Sequence, residues 1–71
     1  MTRRQEKTYY CLLDLASALD YNVTYRVRAA HVISISVWAV RDGRWSKVLR
    51  YTVDASGLIV GMVKYKVGGQ R

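Results

Sequence analysis

The sequence predicts an α+β fold, in which one N-terminal helix packs on one face of a three- to four-stranded antiparallel β-meander. Before Asn22, apolar residues recur at steps of three and four, and after it they alternate with polar residues. Two short segments that end in glycine divide the alternating region. We expect a single α+β domain over residues 1–67 and a flexible C-terminal tail over residues 68–71.

The predicted helix begins at a capping box, because Thr2 is followed three residues later by Gln5. Its apolar face comprises Tyr9, Leu12, Leu13, Ala16 and Leu19, widened on one flank by Cys11, Leu15 and Ala18. So wide a face indicates contact with more than one neighbour, such as the sheet and a second subunit. Asp20 and Asn22 are suitable residues for ending the helix.

The region after Asn22 is rich in β-branched and aromatic residues, which strands favour. Strands are expected over residues 23–28 and 33–40, with a bend at residues 29–31. Residues 41–43 and 55–57 are each predicted to form a three-residue hairpin loop whose final glycine is left-handed.

These loop lengths fix a register that can be tested against the side-chain pattern. Ile35 is expected to face Leu49, Leu49 to face Val63, and Val53 to face Ile59. A two-residue turn between the second and third strands would place Ile35 opposite Arg50 instead. We prefer the three-residue loops because they sort apolar from polar side chains on both hairpins, and a shift of one residue would reverse every side chain.

The register predicts two chemically different faces of the sheet. The inner face, expected to contact the helix, carries Ile33, Ile35, Val37, Ala39, Trp45, Leu49, Tyr51, Val53, Ile59, Val63, Tyr65 and Val67. The outer face carries Arg26, Arg28, Ser34, Ser36, Trp38, Arg44, Ser46, Val48, Arg50, Met62, Lys64 and Lys66, together with Val32, Val40, Leu58 and Val60.

Charge and size both indicate a binding role. The 71 residues include 12 Lys and Arg against 5 Asp and Glu, a formal net charge of +7. That balance favours a polyanionic partner, although net charge also keeps small proteins soluble. A chain this short has a thin core, and its single cysteine excludes an internal disulfide. We therefore expect a homodimer.

No complete catalytic site is visible, so an enzyme is not expected. Cys11 lies on the apolar flank of the helix, where a cysteine is usually part of the core. One Cys and one His are too few for a zinc site, and no cofactor is expected. The sequence shows no signal peptide and no membrane-spanning stretch, and the lone cysteine suits a reducing, cytoplasmic location.

The outer face is the predicted functional surface. We expect a largely sequence-tolerant nucleic-acid-binding protein, for DNA or RNA, in which cations neutralise phosphates and Trp38 stacks on an unpaired base. The predicted nucleic-acid-binding residues are Arg26, Arg28, Trp38, Arg44, Arg50, Lys64 and Lys66. The alternative is a non-enzymatic interaction module, such as a small regulator or inhibitor of the kind that viruses and mobile elements encode, which binds an acidic protein.

Overall fold

The computed structural model describes residues 1–65 and confirms the predicted α+β fold. Helix α1 (Arg3–Ala18) is followed by strands β1 (Asn22–Ala29), β2 (Val32–Arg41), β3 (Arg44–Val53) and β4 (Ile59–Lys64). The strands form one open antiparallel sheet in the order β1-β2-β3-β4. Lys66, Val67 and the tail predicted at residues 68–71 lie outside the described residues.

The two ends of α1 follow the capping signals in the sequence. The Gln5 amide donates to the Thr2 hydroxyl at 3.1 Å, and the Thr2 amide donates to the Gln5 side-chain oxygen at 2.8 Å, which completes the capping box. At the other end, Asp20 adopts a positive φ of 60°. Tyr21 then donates its amide to the carbonyl of Ala16 at 2.9 Å. This wrapping hydrogen bond closes the last turn and directs the chain into β1.

The core lies between α1 and the β1–β2 side of the sheet. Its buried apolar residues are Ala16, Val23, Ile33, Ile35, Val37 and Val53. Because α1 packs mainly over β1 and β2, the flank of the helix that faces β3 and β4 stays in solvent. Leu15 and Leu19 on this flank are exposed, and so is Cys11, whose predicted place in the core is therefore wrong.

The turn between β2 and β3 is one residue shorter than predicted. Arg41 pairs directly with Arg44, so only Asp42 and Gly43 form the connection. Their φ angles are 53° and 77°, and two successive positive values are the requirement of the two-residue turn that matches the twist of a hairpin. Aspartate tolerates this conformation and glycine adopts it freely, so the shorter turn is favoured locally.

A bulge in β3 then restores the sorting of side chains that the shorter turn would otherwise have lost. Val48 is an extra residue between the pairs Trp38–Lys47 and Val37–Leu49. Such a bulge shifts the register by one residue. Ile35 consequently faces Tyr51, and the predicted pairing with Leu49 is wrong.

The loop between β3 and β4 is confirmed, but the pairing beyond it is not. Gly57 has a φ of 85°, and Val53 faces Ile59 as predicted. A second bulge follows at once, since Thr52 pairs with Gly61 rather than with the preceding residue. The strand β4 is thereby offset by one residue, which overturns the predicted Leu49–Val63 pair.

The short turn and the two bulges reassign several side chains between the faces of the sheet. We call the face packed against α1 the helix face and the opposite one the open face. The open face carries Thr24, Arg26, Ser34, Ser36, Trp38, Val40, Trp45, Lys47, Arg50, Thr52, Gly61 and Val63. Predicted inner residues that lie on the open face are Trp45, Val63 and Tyr65, and predicted outer residues that lie on the helix face are Arg44, Ser46, Met62 and Lys64. Val48 was also predicted on the outer face, but it packs against the core.

Candidate functional site

Four hydroxyl side chains lie next to one another at the centre of the open face. Thr24 pairs with Ser36 across β1 and β2, and Ser34 pairs with Thr52 across β2 and β3. The two serines are buried, at 6% and 8% exposure, although the face is open. They are short side chains in a central strand and lie between longer neighbours. The result is a shallow polar surface with hydrogen-bonding groups at its base.

The charges of the protein are segregated by secondary structure. Seven of the cationic residues lie in strands: Arg26, Arg28, Arg41, Arg44, Lys47, Arg50 and Lys64. The acidic residues all lie in α1 or in turns: Glu6, Asp14, Asp20, Asp42 and Asp54. No carboxylate therefore projects from either face of the sheet in the described part of the chain. The open face has a positive potential that no acidic neighbour on the same surface offsets.

Arg50 lies at the middle of this face, between Ser36 on β2 and Val63 on β4. Its side chain is half-buried, and its Nε is buried without an acceptor among residues 1–65. Leaving a buried charged donor unsatisfied costs more than leaving a neutral one unsatisfied. Because this nitrogen is closed to solvent, an anionic ligand could accept a charge-assisted hydrogen bond from it only if the guanidinium group moved to expose it.

Trp38 is on the open face as predicted, but its indole already has partners within the protein. Its Nε1 donates to the Thr24 hydroxyl at 2.9 Å. The ammonium of Lys47 lies 5.2 Å from the centroid of the Trp38 ring and 5.6 Å from that of Tyr65. Both distances are within the range of cation–π attraction. Lys47 is thus held in place between two aromatic rings, and its charge covers a face of the indole.

The remaining predicted site residues are spread over both faces. Arg26 is exposed on the open face, and Arg28 is exposed at a bulge near the end of β1. Arg44 shares the helix face with Ser46, and Lys64 is paired with Leu49 on that same face. The prediction that Arg44 and Lys64 join the outer basic surface is therefore wrong. The short turn accounts for the error at Arg44, and the bulge at residue 60 accounts for the error at Lys64.

Two open-face residues were missed by sequence reasoning. Lys47 and Trp45 reach this face because the two-residue turn reverses the orientation of residues 44–47 relative to the prediction. The signal was present, since Asp-Gly between alternating stretches is a strong indicator of a two-residue hairpin turn. The compensating bulge at Val48, in contrast, has no local signature in the sequence.

A second surface feature lies on the helix face, where α1 leaves β3 and β4 uncovered. An apolar groove there is lined by Leu12, Leu15, Leu19, Leu49 and Tyr51, among others. Within residues 1–65, no three His, Cys, Asp or Glu side chains are grouped as metal ligands. The same part of the chain contains no helix with the length and apolar character required to span a bilayer.

The fold and the open face together define a small α+β protein with a cationic, hydroxyl-lined sheet surface. Comparison with protein-family models, with curated proteins and with solved structures finds no match to this chain.

Proposed function

We propose that this protein binds nucleic acid through the open face of its sheet. The observation that carries the proposal is the group of cations on this face, with Arg50 at its centre between Ser36 and Val63, where no carboxylate within residues 1–65 lies beside them. Arg26 and Lys47 lie on the same face and supply further charges for a phosphate backbone. The buried serines and their threonine neighbours supply hydroxyls of the kind that bind phosphate oxygens.

The test is a fluorescence-anisotropy titration with labelled DNA and RNA oligonucleotides at several salt concentrations. Micromolar or tighter binding is expected, and its affinity should fall steeply between about 50 and 200 mM salt because counterions are released from the phosphates. Absence of binding at the lowest salt concentration would overturn the proposal. It would favour instead the alternative that the cations bind an acidic protein.

A matched pair of charge reversals locates the binding surface. Arg26→Glu and Lys64→Glu change the net charge equally, but Arg26 is on the open face and Lys64 is on the helix face. Arg26→Glu is expected to weaken binding and to reduce the log–log salt slope by about one, whereas Lys64→Glu should have a much smaller effect. Equal effects of the two variants would mean that net charge, and not the open face, determines binding.

We also propose that the groove on the helix face binds a second copy of the chain. Of the described apolar side chains, only Ile33, Ile35 and Val53 are less than 2% exposed, which is a small core for an independent domain. Exposed Leu15 and Leu19 continue the apolar surface of the groove. Dimerisation through this side would bury those residues and leave the cationic open face free for the polyanion.

A further inference from the structure

The β2–β3 hairpin extends past its neighbours in the sheet. Asn22, the first residue of β1, pairs with Trp38, and Lys64, the last residue of β4, pairs with Leu49. Among residues 1–65, the segment from Ala39 to Ser46 is therefore paired only within the hairpin. Within residues 1–65, no neighbouring strand flanks the side chains at this end of the open face on either edge.

Trp45 is the large aromatic side chain at this end. It faces Val40 across the hairpin on the open face, and 54% of its surface is exposed. The other indole on the same face differs, since Trp38 is half-buried, bound to Thr24 through Nε1 and covered by the Lys47 ammonium. A base can stack on Trp45 without displacing any of these contacts.

The cations of the open face begin next to this indole. Lys47 is two residues along β3 on the same face, and Arg50 and then Arg26 follow at increasing distance from the turn. Strand spacing places the backbone positions of Arg50 and Arg26 roughly 12 Å apart, so the two guanidinium groups can contact different phosphates of one strand. With increasing distance from the turn, the open face thus presents an exposed aromatic ring and then three positive charges.

We infer that the ligand of the open face is single-stranded nucleic acid, with an unpaired base stacked on Trp45 and the backbone following Lys47, Arg50 and Arg26. The inference rests on the proposed nucleic-acid function and specifies the form of the ligand. Paired bases in a duplex are stacked on their neighbours, so an indole on the surface of a sheet cannot reach their faces. Aromatic platforms beside cationic surfaces bind single strands with little sequence preference, because every base has a π face.

The experiment compares three labelled probes, namely two single strands that differ only in their bases and a duplex of the same length. An oligothymidylate of about 12 nucleotides carries phosphates and bases, and an abasic strand of the same length carries the phosphates alone. Wild-type protein is expected to bind the thymidylate strand more tightly than the abasic strand, and more tightly than a duplex of equal length. Trp45→Ala should weaken thymidylate binding by about 5- to 100-fold and leave abasic binding unchanged.

Four further variants separate stacking from other causes. Trp45→Phe retains an aromatic face and should preserve much of the affinity, whereas Trp45→Leu, which is apolar without a π system, should not. Val40→Ala removes the exposed cross-strand neighbour of Trp45 and should leave the affinity unchanged. In Trp38→Phe, Trp45 is the only tryptophan, and its fluorescence should be quenched by the thymidylate strand but not by the abasic one.

The possible failures are distinguishable. If wild-type protein binds both strands equally, or if Trp45→Ala binds thymidylate as wild type does, stacking on Trp45 is wrong although nucleic-acid binding stands. Duplex binding that is as tight as single-strand binding would overturn the assignment of the ligand as single-stranded. If the wild-type protein binds none of the three probes at low salt, the proposed function itself is overturned.

Discussion

The buried side chain of Gln5 donates a hydrogen bond from Nε2 to the carbonyl oxygen of His31, 2.8 Å away. The same nitrogen lies 3.4 Å from the carbonyl oxygen of Val53, and the side-chain oxygen accepts from the Thr2 amide. His31 has a positive φ of 63° in the turn between β1 and β2. One amide group therefore connects the helix start to a hairpin turn and to the end of β3.

Removing this amide should destabilise the fold. Gln5→Ala leaves the His31 carbonyl and the Thr2 amide without their partners, and we expect a loss of about 1–3 kcal/mol in the free energy of unfolding. The neighbouring variant Glu6→Ala is the control, because Glu6 is exposed on the same helical turn. Urea denaturation, monitored by circular dichroism, measures the free energy of unfolding of both variants. Equal losses would show that Gln5 has no special structural role.

A pair of glycine substitutions should separate backbone strain from steric overlap. Gly43 and Gly57 both have positive φ, but an added Cβ at Gly43 meets no atom within 4 Å, whereas at Gly57 it would lie 2.6 Å from the carbonyl oxygen of Arg4. Gly43→Ala should therefore cost about 1–2 kcal/mol for the left-handed conformation alone. Gly57→Ala should cost about 1–3 kcal/mol more, because α1 must move away from the loop.

Thermal unfolding of the two glycine variants provides the measurement. A larger decrease in Tm is expected for Gly57→Ala than for Gly43→Ala. Equal decreases would contradict the close approach between the β3–β4 loop and the first turn of α1.

The β3–β4 loop should make stability depend on pH. The Ser56 hydroxyl, with help from the amides of Leu58 and Ser56, holds the pKa of the Asp54 carboxyl below its ordinary value. A lowered folded-state pKa means that the carboxylate stabilises the fold above the unfolded-state pKa of about 3.9 and loses this effect as pH falls through the folded-state value.

The test compares wild type with Asp54→Ala in urea at a series of pH values. Wild type should be more stable near neutral pH, and the difference should diminish as the pH is lowered below the ordinary range of an aspartate. Ser56→Ala removes only one partner and should give an intermediate pH dependence. A difference that does not vary with pH would exclude the proposed role of the ionised carboxylate.

Light scattering after size-exclusion chromatography tests the proposed dimer. Wild type is expected to elute as a dimer, and Leu15→Glu as a monomer, because a charge would be buried in the apolar groove. Tyr10→Glu is the matched control, since Tyr10 is similarly exposed but lies on the opposite side of α1. A wild-type monomer at every concentration, or equal effects of the two substitutions, would refute the helix-face interface.

The elements of the fold could be predicted from sequence because their signals are local. The capping box of Thr2 and Gln5, the helix end at Asp20 and the loop at Gly57 each depend on a few adjacent residues. The face assignment of Lys64 could not, since it depends on the bulge at residue 60. A bulge is set by how two complete strands match their apolar faces, and no single residue specifies it.

The same limit explains which residues of the candidate site were predicted on the correct face. Three site residues were predicted on the correct face. Arg26 and Trp38 come before the β2–β3 turn, and Arg50 lies between the two bulges. The two-residue turn and the bulge at Val48 each shift the register by one residue, so that together they restore the expected faces. Trp45 and Lys47 lie between these two shifts and are therefore on the face opposite to the predicted one. Side-chain alternation alone is thus most informative at the centre of a meander and least informative next to its turns.

The hydrogen bonds between α1 and the β3–β4 loop have a consequence for the order of folding. Thr2 donates its hydroxyl to the carbonyl of Ala55 at 2.8 Å, and Thr8 donates to that of Gly57 at 2.7 Å, across 53 and 49 residues of chain. The three hairpins join neighbouring segments and require only short chain closures, so they can form before these distant contacts. Docking of the helix onto this loop is then a late event, and Thr8→Ala should accelerate unfolding while changing the refolding rate little.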